Sequence, residues 1–153
     1  MKKRCNRRIW STAINPVSHA IAGAAITDAS TLNKLRVKEL SAIDAITKGK
    51  GILEDWKTVA DFLNISETMG NNGIGPEILP YCEQLTKAML EAAKRYETTR
   101  KIVLSGEGIR ALKEVYEYHD LQRTSISRSV YEQMIEKTWA AIQNKHATVV
   151  ELT

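Results

Sequence analysis

GPEILPYCEQLTKAMLEAAKRY, residues 75–96, is the stretch whose reading decides the fold. Its apolar side chains recur at Ile78, Tyr81, Leu85, Met89, Ala92 and Tyr96. Spacings of three and four place all six on one stripe of an α-helix, whereas a strand would scatter them over both faces. Gly75-Pro76 marks the start, because proline has its φ already set for a first helical turn and no donor is needed there. Pro80 is still close enough to that start to be accommodated.

The same periodicity extends in both directions. Asn15-Pro16 starts a first helix over residues 16–26, rich in small residues (Ala20, Ala22, Gly23, Ala24, Ala25) that let another helix approach closely. A second begins at Asp28 or Ser30, carries Leu32, Leu35, Leu40, Ile43 and Ile46 on its stripe, and ends at Gly49 and Gly51. A third, residues 52–69, turns Ile52, Trp56, Val59, Leu63 and Met69 inward and stops at 70–73. After the 75–96 helix, Ser105-Gly106 opens a fifth with Ile109, Leu112 and either Val115 or Tyr116 inward and His119 at the core edge. Ser129 with Glu132 forms a capping box opening a sixth, whose apolar residues are Val130, Met134, Trp139 and Ile142. None of these segments can hide its apolar face alone. The expected fold is therefore all-α, a compact bundle or array of about six helices over residues 15–145. A basic arm, 1–14, precedes it and a tail, 146–153, follows.

At 153 residues, 43% hydrophobic and 26% charged, the chain has ordinary globular composition and enough length to bury a core without disulfides or metals. No apolar run approaches the roughly 20 residues that cross a bilayer, and the first ten residues lack the apolar core of a signal peptide. The reading is a cytoplasmic protein without membrane contact, in which Cys5 and Cys82 are reduced thiols. Lys2, Lys3, Arg4, Arg7 and Arg8 supply five of the 22 basic residues with no acid among the first ten positions, leaving 17 basic residues against 18 acidic ones elsewhere. The net charge of +4 thus belongs to the arm.

Residues able to carry chemistry are few. Flexible basic arms bind DNA or RNA by displacing condensed counterions, and Trp10 beside the arm could stack on a base; the alternative is an arm that only solubilises the terminus. Residues 59–66, Val-Ala-Asp-Phe-Leu-Asn-Ile-Ser, look like the first helix and turn of a helix-turn-helix. The glycines at 70 and 73 leave too little chain for a recognition helix, so one continuous helix is expected. Arg123 and Arg128, near Ser125, Ser127 and Ser129, are candidate secondary phosphate contacts, with simple helix capping as the other reading of the serines. His19, His119 and His146 have no acid three residues before them, which argues against a helical metal site. Gly106-Glu107-Gly108 is only a fragment of a phosphate-binding loop. Neither an enzymatic activity nor a cofactor or metal is expected.

The order Cys5-Asn6-Arg7-Arg8, Asn15-Pro16-Val17, Asn64-Ile65-Ser66-Glu67 and Gly73-Ile74-Gly75-Pro76 resembles small uncharacterised helical proteins of proteobacterial phages and genomic islands, over about the first two thirds of the chain. That family has no known function, so no residue role carries over. The expectation is a non-enzymatic accessory or regulatory protein touching DNA or RNA through its arm. The alternative is a protein–protein module, such as an inhibitor of a host defence complex, whose partner is a host or phage protein. Self-association through the small-residue first helix and Tyr116, Tyr118 and Tyr131 is compatible with either.

Overall fold

A computed structural model describes residues 29–144 and Leu152; the arm, the helix expected at 16–26 and all of the tail except Leu152 lie outside them. Five α-helices form, α1 (Ala29–Thr47), α2 (Leu53–Asn71), α3 (Leu79–Thr99), α4 (Gly106–Thr124) and α5 (Arg128–Gln143), with a 3-10 turn at Pro76–Ile78 and no strand among the described residues. The all-α reading holds. None of these helices is long and apolar enough to cross a membrane.

The centre is α2, which packs against α1, α3, α4 and α5. Trp56, Val59, Phe62 and Leu63 of α2, with Ile46 of α1, Ile78 of the turn, Leu85 and Met89 of α3, and Leu112 and Val115 of α4, make one continuous core. Ile78, Leu85, Met89 and Ala92, read from residues 75–96, are all buried, with Tyr81 and Tyr96 packed at the margin. That segment nevertheless starts as a 3-10 turn before α3 begins at Leu79. The reason is the second proline: Pro80 has no N–H to give to the carbonyl of Pro76, so α-helical hydrogen bonding cannot begin there. Gly75 takes the left-handed conformation, φ +57°, and a Cβ there would lie 3.1 Å from Gln122 Cγ, so the turn needs glycine for both its backbone and its contact.

Four positions correct the expected stripes. Leu40 is 48% exposed while Glu39, one residue earlier, is buried. Positions 32, 35, 39, 43 and 46 form the three-and-four ladder, and residue 40 lies about 100° off it. Ile52 is exposed because it sits at the N-cap of α2, its N–H donating to Asp55 Oδ2 at 2.9 Å. The cap of α5 is Ser127, whose Oγ accepts from Val130 N at 3.3 Å, and Ser129 is already inside the helix. On α5 the buried neighbour of Met134 is Thr138, with its hydroxyl 2.8 Å from that of Thr68, and Trp139 is half-exposed.

Candidate functional site

Arg123 was a candidate phosphate contact, and the structure removes it. Only 3% exposed, its guanidinium forks onto the buried Glu39, Nη1 to Oε1 at 2.8 Å and Nη2 to Oε2 at 2.7 Å, while Nε donates to Asp120 Oδ1 at 3.0 Å. A basic residue in the last turn of α4 complements the helix dipole, and here its side chain turns inward because a glutamate on the stripe of α1 awaits it. Arg128 does face solvent, at the first residue of α5, where Nε donates to Glu132 Oε1 at 2.9 Å. Lys2, Lys3, Arg4, Arg7, Arg8 and Trp10 lie outside the described residues.

The fork is half of a larger arrangement. Arg36, one turn before Glu39, makes a second fork to Asp120, one turn before Arg123, with Nε–Oδ1 at 2.9 Å and Nη2–Oδ2 at 2.8 Å. An Arg-x-x-Glu face on α1 thus meets an Asp-x-x-Arg face on α4 with the charges crossed. Burial pushes the Asp120 carboxyl up, but hydrogen bonds from Arg36 and Arg123 outweigh it and hold the group below the usual carboxylate range. For Arg123, burial works against the charge, and Glu39 and Asp120 more than restore it, raising the group above its ordinary value.

Beneath this network lies His119, expected at the core edge and found fully buried. It stacks on Phe62 at a centroid distance of 5.8 Å, and its Nδ1 is 2.8 Å from Ser66 Oγ. Ser66 gives its single proton to the carbonyl of Phe62 at 2.6 Å, which assigns the Nδ1 proton to histidine and makes Ser66 the acceptor. Burial first, then the positive charge of Arg123, pushes His119 down to about 3, so it is neutral at physiological pH. Nε2 has no hydrogen-bond partner among the described residues. His119 borders a cavity of about 210 Å³ walled by Leu35, Phe62 and Ile135 and edged by Glu39, Asp61 and Tyr131. The serine–histidine distance is that of a nucleophile and its base, but Ser66 is fully buried and bonds away from histidine. Asp120, next in sequence, is held by two arginines. The arrangement fixes a tautomer and joins α1, α2 and α4. No group of three or more metal-binding side chains occurs among the described residues.

Gln122 completes the junction, donating from Nε2 to the carbonyls of Ser66 at 3.2 Å and Ile74 at 2.8 Å. It thereby satisfies backbone at the end of α2 and in the turn that follows. The helix-turn-helix alternative is excluded on the same ground: α2 runs unbroken through Ser66 to Asn71. Of the tyrosines expected between copies, Tyr116 meets Phe62 edge-on at 6.1 Å, Tyr118 stacks on Tyr81 at 5.4 Å and Tyr131 leans on His119 at 6.5 Å. Their rings are engaged within the chain. Cys82 is a buried free thiol, pushed up to about 12 by burial and by Glu67, while Cys5 lies outside the described residues.

Sequence reasoning missed the crossed charges because the partners are 84 residues apart. The local signal was present: oppositely charged residues three apart, on apolar stripes, in two different helices.

Comparison with protein families, with characterised proteins and with solved structures finds no match to this chain.

Proposed function

We propose that the chain is a non-enzymatic helical accessory or regulatory protein of a phage or mobile element, contacting nucleic acid through Lys2, Lys3, Arg4, Arg7 and Arg8, with Trp10 beside them. The supporting observation is the segregation of charge. Between residues 29 and 144, 16 basic residues are balanced by 16 acidic ones. Arg36, Lys38, Lys48, Lys87, Arg123 and Arg128 all lie within ion-pair distance of a carboxylate. The five cations at the start of the chain have no acid among the first ten residues. Uncompensated positive charge attracts phosphate at long range and releases counterions on contact.

The test is a salt titration of full-length protein on labelled DNA and RNA, beside a K2Q/K3Q/R4Q/R7Q/R8Q variant. Five phosphate contacts give a slope of log affinity against log salt of about −4.5 on duplex DNA, and the variant loses that share. Equal affinity and slope for the two proteins would remove the arm from the mechanism.

A second reading, a protein–protein module such as an inhibitor of a host defence complex, is favoured by the exposed Val37 and Leu40, one turn apart on α1. A partner retained after nuclease treatment, and lost in a V37S/L40S variant, would support it.

A further inference from the structure

Between α1 and α5 lies the cavity that His119 borders. Both helices lie against α2, and the gap between them opens over the middle of that helix. Half-buried Leu35 of α1, Ile65 of α2 and Ile135 of α5 form the walls, and the buried rings of Phe62 and His119 form the floor. Small molecules bind in pockets of this kind, mostly apolar, set between packed helices and furnished with a few fixed polar groups. The volume, about 210 Å³, exceeds the roughly 150 Å³ in which a benzene ring is held, so one ring or two fused rings fit.

The floor carries one unanswered polar atom. Nδ1 of His119 is committed to Ser66, at 2.8 Å, and Ser66 takes no part in the cavity wall, so the imidazole turns its other edge that way. Nε2 on that edge is buried and has no hydrogen-bond partner among the described residues. With the proton on Nδ1 and the ring kept neutral by burial, Nε2 holds a lone pair, which accepts and cannot donate. A buried acceptor without a donor is unfavourable, and a bound molecule with an N–H or O–H supplies one. Because Nε2 is sealed from bulk water, entry requires the half-exposed Tyr131 ring, tilted against the imidazole at 6.5 Å, to give way.

Charge at the rim narrows the class of molecule. Glu39 and Asp61 stand there, and Lys38, the one cation lining it among the described residues, is 3.7 Å from Glu54. An anion gains nothing at such a mouth, and a cation would forfeit its hydration against Leu35, Ile65 and Ile135.

We infer that the cavity between α1 and α5 is a binding site for a small uncharged aromatic molecule of the phenol or indole type, whose ring lies between Leu35, Ile65 and Ile135 and whose O–H or N–H donates to His119 Nε2. The site uses none of the cations of the arm, and its test contains no nucleic acid, so the two stand or fall separately.

Titration of full-length protein with phenol, indole and toluene, followed by calorimetry and by the ¹⁵N resonance of His119 Nε2, tests it. Phenol and indole should saturate at one per chain and move that resonance, whereas toluene, with a methyl in place of the O–H, should move it far less. His119→Phe keeps a ring against Phe62 without the acceptor, and the ratio of phenol to toluene affinity should fall about fivefold in it. Ile135→Trp fills the cavity from a half-exposed wall position; it should keep the melting temperature and lose at least tenfold in affinity for phenol and indole. Should His119→Phe fail to fold, the Nε2 resonance and Ile135→Trp decide alone. Absence of saturable binding up to the solubility limit of indole overturns the site, as does undiminished binding by folded Ile135→Trp. An Nε2 resonance that phenol leaves in place, or an unchanged affinity ratio in folded His119→Phe, overturns the role of His119. Benzoate binding more tightly than phenol overturns the class of ligand.

Discussion

Replacing Arg123 by Met keeps much of the side-chain stem, removes the charge, and strands the Glu39 carboxylate at 7% exposure without the fork that holds it. Removing one partner of a buried ion pair costs about 3–5 kcal/mol, mostly from the charge left behind. Against a total stability of about 5–15 kcal/mol, that is a large share. Asp120 is cushioned, because Arg36 still holds it through two hydrogen bonds. The loss should therefore concentrate on Glu39. Exchanging Glu39 for Met as well removes the stranded charge, and the double variant should recover most of the loss. Glu39→Gln should fall between, since its amide oxygen still accepts from Arg123. Urea unfolding followed by circular dichroism, at fixed pH near neutrality, of wild type, Arg123→Met, Glu39→Met and the double variant supplies all four corners of the cycle. A single Arg123→Met loss under about 1 kcal/mol would refute the reasoning, since a truly buried carboxylate cannot lose its partner so cheaply. So would a double variant less stable than the two single losses added together.

Three further outcomes follow from the geometry. Folded His119 is pushed down to about 3, against an ordinary value of 6.5, so below that value the unfolded chain takes up a proton that the native protein refuses. Its contribution is complete above the unfolded value and drains away on acidification, at up to about 1.4 kcal/mol per pH unit; unfolding at pH 7 and pH 5 should show this in wild type and lose it in His119→Gln. Gly108→Ala gains helix propensity but sets a Cβ 2.7 Å from that of Ala88, so it should lower the melting temperature, with A88G/G108A recovering part of the loss. Ser127→Ala should cost about 1 kcal/mol in urea unfolding through loss of the α5 cap, whereas Ser129→Ala should leave the midpoint nearly unchanged.

The helices were legible because Ile78, Leu85, Met89 and Ala92 repeat with a period that only an α-helix brings to one side, and the same holds for Trp56, Val59 and Leu63. Breaks at residues 48–52 and 100–105 followed from local turn chemistry. What escaped depends on partners distant in sequence. Glu39 looks like a solvated residue and Leu40 like a core one until Arg123 is placed opposite, and Thr138 displaces Trp139 from the interior because the hydroxyl of Thr68 faces it. Choosing between Ser127 and Ser129 as a cap needed the chain direction into α5. Arg123 is the instructive failure: a basic residue beside serines at a helix junction reads as a phosphate ligand, yet its charge is consumed inside. Nor does anything in a sequence mark the left-handed backbone of Arg100.

The central claim is that the folded body balances its own charge and that the cations at the start of the chain are what a nucleic acid meets. Its most direct test is the DNA affinity of one chain lacking that set, K2Q/K3Q/R4Q/R7Q/R8Q, after its melting curve shows it to be folded. The account predicts no salt-dependent binding by that chain where wild type binds with a steep slope. Wild-type affinity in the stripped chain would contradict it and return the search to the apolar face of α1.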